Sequence, residues 1–317
     1  LKDGRRDKML TQITLGASEV TLSNEGPIGE KTTYIFSARR SYLQGLFRLI
    51  GLPFLPTFND FTFKTKTKIN DKTELTVLGV GAIDQFALNF DVPDEETEEE
   101  RDDRLYLLDN LPISTQWNYA MGAKLKKFRD NGFWTFIVSR NMLNNRSYKY
   151  AGNDESSEDN LQFNYLSQES ENKFRAENSI FSKGYTLQYG MNYEFSRYLI
   201  ENYDTKFTDQ NGLPRDVSSI SLFNSYGAFL MGSKKYFNDR LIVNLGLRMD
   251  GSDFGETAKN PLNQLSPRFS TSYQLKDNLF WNASAGIYYQ KPPYTVLGFQ
   301  NNEGVFENQV NDVKFMR

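Results

Sequence analysis

The sequence predicts an all-β fold, an antiparallel transmembrane β-barrel segment of about 12 to 13 strands. Three observations predict it. Apolar and polar residues alternate with period two over runs of about 9 to 15 residues, longer than ordinary soluble strands and long enough to cross a bilayer at a tilt. Short turns alternate with long connections along the whole chain. No apolar run approaches the ~20 residues of a membrane helix, and the mean hydropathy is −0.60. Strands that average an apolar face against a polar one give such a value.

The alternation is read element by element. In 61–69, Phe61, Phe63, Thr65, Thr67 and Ile69 oppose Thr62, Lys64, Lys66 and Lys68. In 112–126, Ile113, Thr115, Trp117, Tyr119, Met121, Ala123 and Leu125 oppose Ser114, Gln116, Asn118, Ala120, Gly122, Lys124 and Lys126. In 185–196, Tyr185, Leu187, Tyr189, Met191, Tyr193 and Phe195 oppose Thr186, Gln188, Gly190, Asn192, Glu194 and Ser196. In 241–250, Leu241, Val243, Leu245, Leu247 and Met249 oppose Ile242, Asn244, Gly246, Arg248 and Asp250. The polar faces lack the aliphatics of a second core layer, which suits a wet lumen with the apolar face toward lipid.

Short turns are expected at 25–31, 70–72, 128–132, 182–184, 237–240 and 276–278, and long connections at 43–57, 89–111, 143–170, 199–217 and 251–264. This asymmetry matches short periplasmic turns and long extracellular loops. Near Gly16–Glu19 the alternation changes phase, as at a bulge or a tight external hairpin; the hairpin would make the thirteenth strand. The chain ends at Arg317 in what reads as another long loop.

Composition excludes much chemistry. There is no cysteine and no histidine, which removes disulfides, thiolate or imidazole metal sites and the Ser-His-Asp and Cys-His machines. No catalytic residue, cofactor or metal is expected. A net charge of −3 calls for no nucleic-acid partner.

Several stretches share a resemblance. Glu25-Gly26-Pro27-Ile28 and Ser37-Ala38-Arg39-Arg40-Ser41-Tyr42 resemble the opening barrel strands of TonB-dependent outer-membrane receptors of the Bacteroidota type. Leu245-Gly246-Leu247-Arg248-Met249-Asp250 resembles a mid-barrel strand of that family. Leu265-Ser266-Pro267-Arg268-Phe269-Ser270, the Lys276-Asp277-Asn278 turn and 283–293 resemble the next hairpin. The resemblance implies a barrel of about 22 strands around a plug, of which residues 1–317 would be a partial barrel domain without its plug. It also implies a bacterial outer-membrane location, outer-membrane lipid around the wall, and uptake driven by a periplasmic TonB-type protein.

The candidate functional residues fall in three groups. Arg248 and Arg268 lie on the expected lumen face of neighbouring strands, facing a plug or an anionic solute; the plainer reading pairs Arg248 with Asp250. The acidic run, with Asp94, Glu95, Glu96, Glu98, Glu99 and Glu100, is expected in an extracellular loop. It lacks the calcium-loop spacing, so a solvated loop is the favoured reading over cation capture. The apolar segment 43–56 is read as a short helix on the barrel rim, or as a dock for a surface lipoprotein. Trp117, Trp134 and Trp281 are read as lipid-facing girdle residues rather than sugar platforms. The expected function is the barrel wall of a TonB-dependent active importer of a scarce solute. The alternatives are a small self-contained outer-membrane channel or scaffold, and a soluble all-β glycan-binding surface protein.

Overall fold

In the computed structural model, residues 2–91, 97–208, 212–255, 257–291, 293–297 and 313–316 are described. The chain forms one sheet in strictly sequential order, every neighbour antiparallel. Strands β1 (Leu10–Leu15), β2 (Glu19–Ile28) and β3 (Thr32–Ser41) open it. Helix α1 (Leu43–Leu49) leads to β4 (Phe54–Asn70) and β5 (Thr73–Leu88). Helix α2 (Glu98–Asn110) leads to β6 (Ile113–Arg129), β7 (Gly132–Tyr150), β8 (Leu161–Ser182), β9 (Tyr185–Thr208) and β10 (Pro214–Tyr236). Then follow β11 (Leu241–Ser252), β12 (Ser266–Lys276), β13 (Leu279–Gln290) and the short β14 (Val313–Met316). Among the described residues β1 and β14 do not pair, so the sheet has two free edges.

Fourteen strands exceed the twelve or thirteen expected. The phase change near Gly16 is a hairpin: Leu15 pairs with Val20, and the Gly16 amide donates to the Glu19 carbonyl at 2.8 Å. The other extra strand is β14, where the sequence read as loop; its Met316 pairs with Ile287.

Cross-strand partners in a ladder share a face, so register carries the alternation from strand to strand. One apolar row runs Phe36, Phe63, Gly79, Met121 across β3 to β6. Another runs Val138, Phe174, Tyr193, Tyr226 across β7 to β10. A third runs Leu230, Leu247, Pro267. The opposite face carries Lys64, Lys66, Lys124, Glu171, Lys173, Arg175, Glu194, Arg248 and Arg268, the phase expected from sequence. Register puts Gly79 and Gly81 on the apolar face opposite Phe63 and Phe61, whose rings cover the space a Cβ would fill.

All six short turns fall where expected. Two long connections do not. Residues 143–170 and 199–217 are mostly strand: β7 reaches Tyr150, β8 starts at Leu161, and β9 and β10 run 24 and 23 residues. Their far halves keep each other's backbone groups paired and gain a packed side. Tyr198, Ile200 and Phe223 form a buried cluster with Phe254 and Tyr294, and Tyr165 and Val217 pack against it. Polar composition alone had suggested loop.

Candidate functional site

The polar face of β8 to β13 holds the candidate site. Arg248 stands at its centre, donating from Nε to Asp250 Oδ2 at 2.6 Å, from Nη2 to Asp250 Oδ1 at 2.6 Å and from Nη2 to Asn192 Oδ1 at 3.1 Å. Sequence had proposed the Asp250 partner; the third contact comes from β9, two strands away. Arg268 sits on β12 opposite Gly246. It donates to Ser266 Oγ at 3.2 Å and lies 4.6 Å from the centre of the Tyr288 ring. Among the described residues it has no carboxylate partner.

Two cavities flank Arg248. One, of about 290 Å³, is bounded by Arg175, Phe229, Asn244, Arg248, Arg268 and Tyr288. Three guanidiniums border it, but Asp250 takes the paired donors of Arg248 and Glu177 holds Arg175 at 2.7 Å, so among the described residues Arg268 is the arginine that keeps paired donors open to an anion. The other, of about 280 Å³, reaches Asn192, Glu194, Asp250, Phe254, Gln264 and Lys291.

Beyond the second cavity lies an ionic lattice that sequence did not single out. Lys291 Nζ meets Glu194 Oε1 at 2.7 Å, and Lys173 Nζ meets Glu171 at 2.7 Å and Glu194 at 3.4 Å. Tyr294 OH donates to Glu171 Oε1 at 3.3 Å, and its ring stacks 5.4 Å from Tyr198. Burial is the largest influence on Lys291 and works against its charge, but the Glu194 hydrogen bond, the charges of Tyr294 and Glu194 and the Tyr294 hydrogen bond together raise the lysine pKa. Strand spacing had placed Glu194 on this face and could have placed Glu171; Lys291 and Tyr294, outside any regular strand, left no such signal.

The acidic run divides. Asp94, Glu95 and Glu96 lie outside the described residues. Glu98, Glu99 and Glu100 form the first turn of α2 rather than a loop. Thr97 caps it: the Glu100 amide donates to Thr97 Oγ1 at 3.3 Å, and the Thr97 amide donates to Glu100 Oε2 at 2.9 Å. This capping box was present in the sequence as Thr97-x-x-Glu100, and acids in a first turn suit the helix dipole. Among the described residues no three acidic groups converge on a common metal position. The apolar segment forms α1, whose Phe47 meets Phe54 edge-on at 5.4 Å while Leu46, Leu49 and Ile50 stay exposed.

A long antiparallel sheet with one apolar and one charged face, whose connections at one end are all short while those at the other, the Gly16 hairpin apart, are longer, is a membrane barrel wall. Residues 40–314 match the family model described as TonB dependent receptor-like, beta-barrel. The chain belongs to this family. TonB-dependent receptor barrels are outer-membrane proteins, and the family's members and structural neighbours are receptors and transporters rather than enzymes. Comparison with curated proteins gives no match. Among solved structures, the chain is similar to the ferripyoverdine receptor of the Pseudomonas aeruginosa outer membrane, at 14% identity and TM-score 0.65, covering 92% of this chain and 44% of that one. It is similar to the siderophore receptor PirA of Acinetobacter baumannii, at 14% identity and TM-score 0.61, covering 90% and 42%. It is also similar to the copper transporter OprC, at 13% identity and TM-score 0.61, covering 91% and 47%. The chain thus spans less than half the length of these structures, and identities this low show the shared fold alone. None of them supports the narrower Bacteroidota type that the strand motifs suggested.

Proposed function

We infer that this TonB-dependent receptor barrel supplies part of the wall of an active importer that takes a scarce, anionic solute across the outer membrane. The cavity ringed by Arg175, Arg248 and Arg268 carries this reading. Its open guanidinium, Arg268, would meet carboxylates of the plug when the importer is shut and the solute's anionic groups when it opens. The neighbours named for ferripyoverdine, siderophores and copper make a metal chelate the favoured solute class.

The rest of the wall follows from this reading. The apolar face turns to outer-membrane lipid. On β6, Trp117 stands ten residues from Lys127, the partner of Trp134. At about 3.3 Å per residue and a tilt of about 40°, the two tryptophans bracket about 25 Å, the height of the apolar band of such barrels. The short turns face the periplasm, where a TonB-type protein pulls on the plug. The long-loop end, with α2 and the acidic residues Asp94, Glu95, Glu96, Glu98, Glu99 and Glu100, faces outward. The exposed side of α1 would receive a surface lipoprotein.

Uptake of labelled ferric chelates by cells carrying the complete receptor tests the reading. Uptake should cease when the TonB-type protein is removed or the proton-motive force is collapsed. Uptake that persists through both would contradict active import and favour a passive channel.

A further inference from the structure

The luminal face of β4 to β6 carries cations that the cavity beside Arg268 does not use, and register sets them in rows. Lys66 on β4 pairs with Thr76 on β5, and Thr76 pairs with Lys124 on β6, so the two lysines stand in one row with a threonine between them. In the next row toward the long-loop end, Lys64, Leu78 and Gly122 follow the same order. Neither row holds an acid on these three strands. Neighbouring strands lie about 4.8 Å apart, so Lys66 and Lys124 start about 10 Å apart, and their flexible four-carbon side chains can close on one small anion. Lys124 is exposed and has no hydrogen bond or ion pair among the described residues. It stands three residues along β6 from Lys127, the partner of Trp134, and seven from Trp117, in the periplasmic third of the wall.

A carboxylate of the chain itself already sits on this patch. The segment before β1 crosses β3, where a Cβ on Gly4 would run into the Tyr34 carbonyl. Lys2 meets Glu25 at 2.8 Å. Asp3 lays one oxygen on Lys64 at 2.6 Å and the other on Lys66 at 2.9 Å, and Lys64 also donates to the Lys2 carbonyl at 2.9 Å. Two ammoniums on the two oxygens of one carboxylate make the charge-assisted contacts a bound carboxylate ligand would make. Asp3 offsets one positive charge of the three lysines, and its side chain is 46% exposed, open to competition from a free anion. We propose that Lys64, Lys66 and Lys124 form a carboxylate site on the periplasmic side of the lumen, which Asp3 closes and a polycarboxylate anion opens by displacing it. The site rests on the importer reading for its place on the solute's path; the binding itself needs no transport.

Electron paramagnetic resonance of a spin label at Arg6→Cys, in the complete receptor in detergent, tests it with citrate as the probe at neutral pH. Citrate should free the segment, so the label should gain mobility along a saturable curve that sodium chloride of equal ionic strength does not reproduce. Lys124→Gln removes the cation of the three that Asp3 does not touch; the citrate concentration at half-effect should rise about tenfold. Lys235→Gln, on the same face of β10 and paired with Asp239 at 3.1 Å, should leave that concentration unchanged. In calorimetric titration, Asp3→Asn should tighten citrate binding about threefold or more, and adding Lys124→Gln should cancel the gain. A label that citrate does not move, that sodium chloride moves equally, or that responds alike with and without Lys124 would overturn the site. So would an unchanged citrate affinity in Asp3→Asn. Uptake that persists without the TonB-type protein while these responses hold would overturn the importer reading alone.

Discussion

Arg248 holds Asp250 through two parallel hydrogen bonds of 2.6 Å, Nε to Oδ2 and Nη2 to Oδ1, although both side chains project from one face of one strand. The pair is half-open, with side-chain exposures of 26% and 33%, so Arg248 arrives at the cavity already neutralised. Arg268, across the ladder, has only Ser266 and the Tyr288 ring. The two arginines therefore differ in what they can offer an anion. In the complete receptor, Arg268→Gln should weaken equilibrium binding of the transported solute about tenfold, the worth of one charged hydrogen bond. Asp250→Asn should leave binding unchanged or tighten it, because it frees Arg248. A tenfold loss in Asp250→Asn would show that the carboxylate, not the guanidinium, meets the solute.

The segment before β1 is pinned to the polar face by Asp3, which meets Lys64 at 2.6 Å and Lys66 at 2.9 Å. Hydrogen bonds from these lysines lower the Asp3 pKa from 3.8 to about 2. A carboxyl depressed in this way favours the docked segment fully above its ordinary pKa, and the contribution fades as pH falls from 3.8 toward 2. The Asp3 side chain is 46% exposed, so screening keeps the effect small. A spin label at Arg6→Cys should be ordered at neutral pH and gain mobility through that acid window. With Asp3→Asn added, the acid-dependent gain in mobility should disappear. A label equally ordered in both proteins would remove the clasp.

Gly79 is covered by the Phe63 ring and Gly81 by the Phe61 ring. Rings laid over strand glycines fill the side-chain space that the glycines leave open. Gly79→Val should push Phe63 off the strand and cost about 1–3 kcal/mol, the usual price of overpacking. The thermal midpoint for loss of heat-modifiable migration reads this directly. An unshifted midpoint would mean that the ring has room to move.

The capping box of α2 gives a local prediction. Thr97→Ala removes the acceptor for the Glu100 amide, and amide exchange at residues 98–101 should speed several-fold while β6 is unaffected. Glu100 is itself held below its ordinary pKa by the Thr97 amide and hydroxyl. The box is therefore at full strength above the ordinary glutamate range and opens only as pH falls below that range, through the depressed Glu100 pKa. Exchange unchanged in Thr97→Ala would leave the acidic run as the loop its composition suggested.

The parts of this wall legible in sequence are those set by short-range rules. Period two placed Trp117, Trp134 and Trp281 on the apolar face and Arg248 and Arg268 on the other, and every short turn fell where its turn residues stood. What failed depends on long-range packing. The far halves of β9 and β10 stay strand because Tyr198, Ile200 and Phe223 find Phe254 and Tyr294, which are separated from them along the chain. Lys291 reaches Glu194 across 97 positions, and no local pattern encodes that. The lysines of β4 and β6 were in plain view, but their meaning depends on register. Only the pairing of Thr76 with both Lys66 and Lys124 shows that they stand in one row.

The central claim is that one face of this sheet meets lipid and the other a wet, plugged lumen. The stretch contains no cysteine, so single cysteines introduced along 243–249 of the complete receptor can carry spin labels without background from this region. Accessibility to oxygen, which partitions into lipid, and to a water-soluble nickel chelate should alternate residue by residue. Positions 243, 245, 247 and 249 should favour oxygen, and 244, 246 and 248 should not. Accessibility that is uniform along the strand, or that alternates in the opposite phase, would contradict the account.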